Sequence, residues 1–140
     1  MSKSNNEAFL NAYVSADKIC CEKFGITKYG ITEYITRLNN ARFAPMRDEV
    51  LPALVKYRSV RNTLVHEVDA LADSNEITKT DVKWMKSFEK QLDKKKDPLS
   101  AYLRKAHRHK RLRKLRNILL ALLAVAAASA VVYAVIKLIF

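Results

Sequence analysis

Residues 57–71, YRSVRNTLVHEVDAL, combine a helical pattern with an unusual group of polar side chains. Four aliphatic residues in this stretch share the spacing of one helix face: Val60, Leu64, Val68 and Leu71. The stretch therefore predicts a helix that packs against a core. Arg61, Asn62 and His66 lie on the same helix, and His66 is the only histidine before position 107. These three polar residues are either the rim of a structural helix or part of a functional site.

The rest of the first hundred residues also predicts helices. With 2 Gly and 3 Pro among 140 residues, the composition is poor in the residues that sheet-rich and loop-rich folds use. A capping box over residues 4–7 predicts the start of the first helix, and Gly25 its end. The second helix is predicted from Thr32 to Asn40 after a turn through Gly30.

Prolines and threonines suggest where the later helices begin. The third helix is predicted to start near Pro45 or Pro52, because a helix tolerates proline in its first turn, and to continue through His66. Thr78 or Thr80 caps the fourth helix, and four of its residues are predicted to point inward: Trp84, Met85, Phe88 and Leu92. Asp97 and Pro98 begin a fifth helix, which nothing interrupts. The expected fold is an all-α bundle of four to five helices followed by one C-terminal transmembrane helix.

Residues 118–136, ILLALLAVAAASAVVYAVI, hold 19 positions without a charge. A helix of that length reaches roughly 28 Å, which is close to the hydrocarbon thickness of a bilayer. A buried core helix would need an apolar shell that the preceding hundred residues, occupied with their own core, cannot supply. The span is therefore predicted to cross a membrane once.

The net charge of +12 is concentrated directly before this span. Residues 1–103 hold 17 Lys and Arg against all 14 acidic residues. Eight further cations lie between residues 104 and 116: Arg104, Lys105, Arg108, Lys110, Arg111, Arg113, Lys114 and Arg116. This asymmetry predicts a cytosolic N-terminal domain, and the eight cations are expected at the membrane surface, against anionic lipids. Nucleic-acid phosphates are the less favoured partner for them.

The polar residues of the opening stretch suggest a metal-independent reaction on RNA. His66 has a side chain suited to proton transfer near neutral pH, Arg61 can stabilise charge on a phosphoryl group, and Asn62 can orient His66 or contact the phosphate. Arg61 and His66 leave one helix in different directions, so a shared groove would need a second copy of the chain. No metal and no cofactor is predicted, because the carboxylates are not clustered for a two-metal site.

The segment RNTLVHE, with Arg61, Asn62 and His66, resembles the signature of HEPN domains. This resemblance implies a small dimeric helical bundle in which Arg61 and His66 are catalytic and Asn62 is supporting. It also implies an endoribonuclease that acts as a toxin or in antiviral defence, with an inhibitory or regulatory protein partner. The alternative is a non-catalytic, tail-anchored module that binds other proteins. The expected organisation is a cytosolic bundle over 1–103, a basic juxtamembrane segment over 104–117 and a transmembrane helix over 118–140.

Overall fold

A computed structural model describes residues 2–66 and 77–139, with side chains from 5 to 65 and from 77 to 139. The described residues form helices and no strand, so the all-α prediction is confirmed. The five helices are α1 (Ser2–Phe24), α2 (Gly30–Asn40), α3 (Arg47–His66), α4 (Lys79–Asp93) and α5 (Pro98–Ile139). The expected aliphatic positions Val68 and Leu71 lie outside the described residues.

The chain divides into two compact units, Met1–Tyr102 and Leu103–Phe140. In the first unit α1 contacts α2, α3 and α4, and α2 also packs on α3. Its core contains aliphatic residues from every helix and a connected series of aromatic rings. Tyr57 lies 5.4 Å from Phe9 and 5.0 Å from Trp84, measured between ring centroids. Trp84 stacks on Phe88 at 5.5 Å. These contacts join α1, α3 and α4.

The junction of α1 and α2 differs from the expected turn. Gly30 is not a turn residue but the first residue of α2, and it lies against the α1 backbone. A Cβ at this position would overlap the carbonyl oxygen of Asp17 and lie 2.7 Å from the amide nitrogen of Cys21. The turn instead uses Tyr29, whose φ of 64° is unusual for a residue with a side chain. Only glycine allows the two helices to approach this closely.

The predicted start of α1 is wrong, and that of α3 is right in its approximate position, near Pro45, but not in the role of the proline. The first helix begins at Ser2, ahead of the expected capping box, so residues 4–7 belong to its first turns. The third helix begins at Arg47, and neither Pro45 nor Pro52 occupies its first position. Pro52 lies inside α3 and is exposed, and the helix accommodates its missing backbone N–H at this position.

The starts of α4 and α5 agree with the prediction. Thr78 caps α4, and the Asp81 carboxylate completes a capping box with the Thr78 backbone N–H. Asp81 also accepts a hydrogen bond from the Tyr57 hydroxyl at 2.8 Å, which ties α4 to α3. Although partial burial opposes ionisation, the hydrogen bonds from Thr78 and Tyr57 lower the pKa of Asp81 to about 2. The α5 helix begins at Pro98, directly after Asp97.

A buried polar cluster fixes the beginning of α5 in the first unit. Asp97 is fully buried and accepts hydrogen bonds from Lys23 Nζ at 2.8 Å and from the Tyr34 hydroxyl at 2.9 Å. It also accepts from the Ser100 backbone N–H at 3.1 Å. Burial alone would disfavour the charged form, but the contacts with Lys23 and Ser100 hold the pKa of Asp97 below its usual value. The cluster therefore joins α1, α2 and the first turn of α5.

Candidate functional site

A groove of about 690 Å³ lies on the first unit, between α1, the α1–α2 turn and α3. Residues from these three segments and one residue of α2, Thr32, line it: Tyr13, Val14, Asp17, Lys28, Tyr29, Thr32, Arg58, Arg61 and Asn62. The helical spacing explains why these side chains meet. On α3, Arg61 and Asn62 follow Arg58 by three and four positions, so each of them shares a face with Arg58. On α1, Tyr13 and Asp17 are also four positions apart.

Two of the three predicted site residues on α3, Arg61 and Asn62, line this groove. The Arg61 Nη1 donates a hydrogen bond to the Asn62 Oδ1 at 3.2 Å. Arg61 is half-buried and Asn62 is exposed, so both can reach a molecule in the groove. The structure adds Arg58 to Arg61 and Asn62 in this groove, and the predicted role of Asn62 in orienting His66 stays a prediction.

The α3 helix is described as far as His66, in agreement with the predicted helix through this residue, but the His66 side chain lies outside the described residues. Its position relative to the groove, and its pairing with Arg61 across two copies of the chain, therefore stay predictions. Among the described side chains, no three His, Cys, Asp or Glu residues lie together in a group that could hold a metal ion.

The floor of the groove is formed by Tyr13, which is nearly fully buried. Burial and the nearby Asp17 carboxylate raise the pKa of Tyr13 to about 12, although Arg61 and Arg58 oppose this shift. The hydroxyl is therefore neutral and can act as a hydrogen-bond donor at physiological pH. Asp17 is engaged structurally, because its Oδ1 accepts the Ile31 backbone N–H at 2.8 Å.

The second feature with functional potential is α5. Within the part of the chain that the structure describes, one helix is long and apolar enough to cross a membrane, as predicted. Each described residue from 107 to 139 is exposed. Ser129 is the polar residue near the middle of the span, and its hydroxyl donates to the Val125 carbonyl oxygen at 2.8 Å within the helix. The span therefore satisfies this hydroxyl internally, as a lipid environment requires.

The eight cations of residues 104–116 are all exposed on α5. At about 100° per residue, they are distributed around the whole helix, with no angular gap wider than about 60°. A helix that lies flat on a membrane segregates its charged and apolar faces, and this segment does not. The cations of this segment therefore do not form a single charged face.

The fold and these two sites define a class: a small helical bundle with a cationic groove, followed by one helix that can span a membrane. Within that class the chain belongs to the family of unknown function DUF6548, whose model matches residues 7–120. The match includes the bundle and the basic segment, and it ends within the first residues of the apolar span. No curated protein and no solved structure matches the chain significantly.

The resemblance to HEPN domains is therefore wrong, since the family that matches is a different one. The resemblance depended on Arg61, Asn62 and His66 alone, and so short a pattern recurs by chance on amphipathic helices. The toxin and defence roles, and the regulatory partner, were implied by that resemblance and have no other support.

The sequence did not identify Lys28, Tyr29 and Arg58 as parts of the candidate site. Arg58 carried a usable signal, because it precedes Arg61 by three positions on one helix face. Lys28 and Tyr29 carried none, since only the packing of α2 on α1 brings their turn to α3. The sequence also gave no signal for the contact between Lys23 and Asp97, which lie 74 positions apart.

Proposed function

We propose that this chain is a single-pass membrane protein whose bundle lies in the cytosol and serves as a binding module at the membrane surface. The observation that carries the proposal is the order of charges on α5, where eight cations directly precede 19 uncharged residues. The excess of positive charge on one flank of the span favours a cytosolic position for the bundle. Anionic lipid headgroups are the proposed partners of the basic segment.

The membrane part of the proposal is tested by disrupting the span. Ten Leu, Ile and Val residues between 118 and 136 contribute about −3 to −6 kcal/mol to insertion on the translocon scale. Two arginines near the centre cost about 5–7 kcal/mol on the same scale, enough to offset that gain. We expect the wild-type chain to resist carbonate extraction from membranes, and the double variant Ala124→Arg/Ala128→Arg to be extracted.

A matched control carries two arginines on exposed positions of the bundle, Asn11→Arg and Thr27→Arg. This variant has the same charge and should stay with the membrane. If the wild-type chain itself is extracted by carbonate, or if the control is extracted as readily as the Ala124/Ala128 variant, the span does not anchor the protein.

The basic segment has its own test. The full chain is reconstituted at equal amounts into vesicles that contain anionic lipid. The substitutions Arg111→Gln/Arg113→Gln/Lys114→Gln should weaken the contact between the basic segment and the anionic headgroups by about 1 kcal/mol per cation. The matched variant Lys83→Gln/Lys86→Gln/Lys90→Gln removes three exposed cations of α4 instead. Equal clustering of anionic lipid around both variants, measured by lipid-probe quenching, would contradict the proposed lipid contact.

A second candidate function is a membrane-anchored, metal-independent endoribonuclease. The observation in its favour is that Arg61 and Asn62 line a cationic groove. In this proposal Arg61 stabilises the phosphoryl charge, His66 transfers protons, Asn62 supports them, and a homodimer brings the groups together. Purified chain should cut RNA in the presence of EDTA, and His66→Ala should reduce cutting roughly 10²–10⁴-fold. Intact RNA with wild-type chain, or unchanged cutting by His66→Ala, removes this candidate.

A further inference from the structure

The groove carries more positive charge than its acidic lining residues can neutralise. Lys28, Arg58 and Arg61 contribute three cations to its lining, and Asp17 is the one carboxylate. The Asp17 carboxylate already accepts the Ile31 backbone N–H. Among the described residues, none of the three cations forms an ion pair. The groove is therefore electrostatically suited to an anion.

The two arginines suit a phosphate better than an isolated ammonium does. Arg58 and Arg61 are three positions apart on α3 and face the same groove. A guanidinium offers several N–H donors in a planar arrangement that matches phosphate oxygens. Arg61 uses one of its nitrogens to bond Asn62, which restrains the side chain and leaves other donors for a ligand.

An aromatic ring lies at the edge of the same groove. Tyr29 is 65% exposed. Its backbone has a φ of 64°, a conformation that L-residues adopt at a cost and that concentrates at functional sites. Lys28 Nζ lies 5.3 Å from the centre of the ring, so a cation and a flat apolar surface are adjacent.

We propose that this groove binds a nucleotide, with its phosphates against Arg58, Arg61 and Lys28 and its base against the ring of Tyr29. The volume of about 690 Å³ lies within the range of about 300–1,000 Å³ that is typical of small-molecule sites. The inference goes beyond the proposed function, because the groove lies entirely in the first unit and does not depend on whether α5 spans a membrane. A phosphate-free acidic peptide would match the charge but not the exposed ring.

The test measures binding to the full chain in a zwitterionic detergent by calorimetry. The three probes are ADP, inorganic pyrophosphate, which lacks the ring, and adenosine, which lacks the phosphates. We expect ADP to bind more tightly than either of the other two. Arg58→Gln/Arg61→Gln should weaken ADP binding between about tenfold and a hundredfold for each charge-assisted hydrogen bond lost. The fluorescence of Trp84 on heating confirms that each variant is folded.

The matched control separates the groove from the basic segment, which also attracts phosphates. Arg108→Gln/Arg111→Gln removes two exposed arginines of α5 and should leave ADP binding within twofold of wild type. If both double variants lose affinity equally, or if pyrophosphate binds as tightly as ADP, the proposal is overturned. Displacement of ADP by a poly-glutamate peptide at equal concentration would also overturn it, in favour of an acidic protein partner.

Tyr29→Gly distinguishes a ligand contact from a structural role. Glycine adopts the Tyr29 backbone conformation without strain, so the thermal midpoint should stay the same or rise. Affinity for ADP should nevertheless fall by at least about fivefold, a loss within the range reported for one stacked base, while affinity for pyrophosphate stays unchanged. Unchanged ADP affinity in Tyr29→Gly would contradict the proposed position of the base.

Discussion

Replacing Asp97 by Asn tests whether the buried polar cluster holds α5 to the bundle. The substitution keeps the shape of the side chain and removes its charge. It strands the charge of the Lys23 ammonium, which donates to both carboxylate oxygens at 3.0 and 2.8 Å and would keep only neutral acceptors such as the Ser100 hydroxyl. Removing one partner of a buried ion pair typically costs about 3–5 kcal/mol. Lys23 is 20% exposed and can reach water in part, so we expect the lower end, about 3 kcal/mol.

The single tryptophan gives a clean assay for this loss. Trp84 packs between Tyr57 and Phe88 in the core of the first unit, so its fluorescence reports unfolding of the bundle and not of the apolar span. For a domain of this size, 1 kcal/mol shifts the thermal midpoint by about 4–8 °C, so a loss of about 3 kcal/mol predicts a decrease of about 12–24 °C.

Two comparison variants show whether the stranded charge is the cause. Glu33→Gln removes an exposed ion pair with Arg37 and should cost less than about 1 kcal/mol. Lys23→Met in the Asp97→Asn background removes the stranded ammonium and should recover part of the lost stability. If Asp97→Asn destabilises the bundle no more than Glu33→Gln does, or if Lys23→Met only adds to the loss, the cluster does not act as described.

Further predictions concern the helix contact at Gly30 and the cap of α4. Gly30→Ala should destabilise the bundle by more than about 2 kcal/mol, because its Cβ overlaps the α1 backbone. The Cβ of Gly25→Ala meets open space, so this variant should cost only about 1 kcal/mol of backbone strain. Denaturant titrations of both variants compare their free energies of unfolding. Because the pKa of Asp81 is lowered to about 2, its contribution to stability is present above about pH 4 and is lost as the pH falls towards 2. Thr78→Ala should cost about 1 kcal/mol at pH 7, and an unchanged midpoint would contradict the role of the cap.

The parts of the fold that sequence predicted are those that depend on local signals. The Thr78 cap, the start of α5 at Asp97 and Pro98, and the end of α1 at Gly25 each follow from the preferences of one or two residues. The position of Gly30 does not, because a glycine ahead of a helix resembles a turn residue until the neighbouring helix is in place. Its role is visible only in the contact with Asp17.

The candidate site was predicted less well, since its residues come from three segments. Periodicity put Arg61 and Asn62 on one helix and left their partners unknown. Lys28 and Tyr29 join them because α2 packs closely on α1. The match to a HEPN signature failed for a related reason: a spacing on one helix says nothing about the elements that surround it.

The most direct test of the membrane proposal is the orientation of the chain. Tags are placed ahead of Met1 and after Phe140, and sealed, right-side-out cells or spheroplasts are treated with protease. The proposal predicts that the N-terminal tag stays intact and that the C-terminal tag is removed. The reason is that the eight cations of residues 104–116 keep the N-terminal side of the span in the cytosol. Removal of the N-terminal tag, with the C-terminal tag intact, would contradict it.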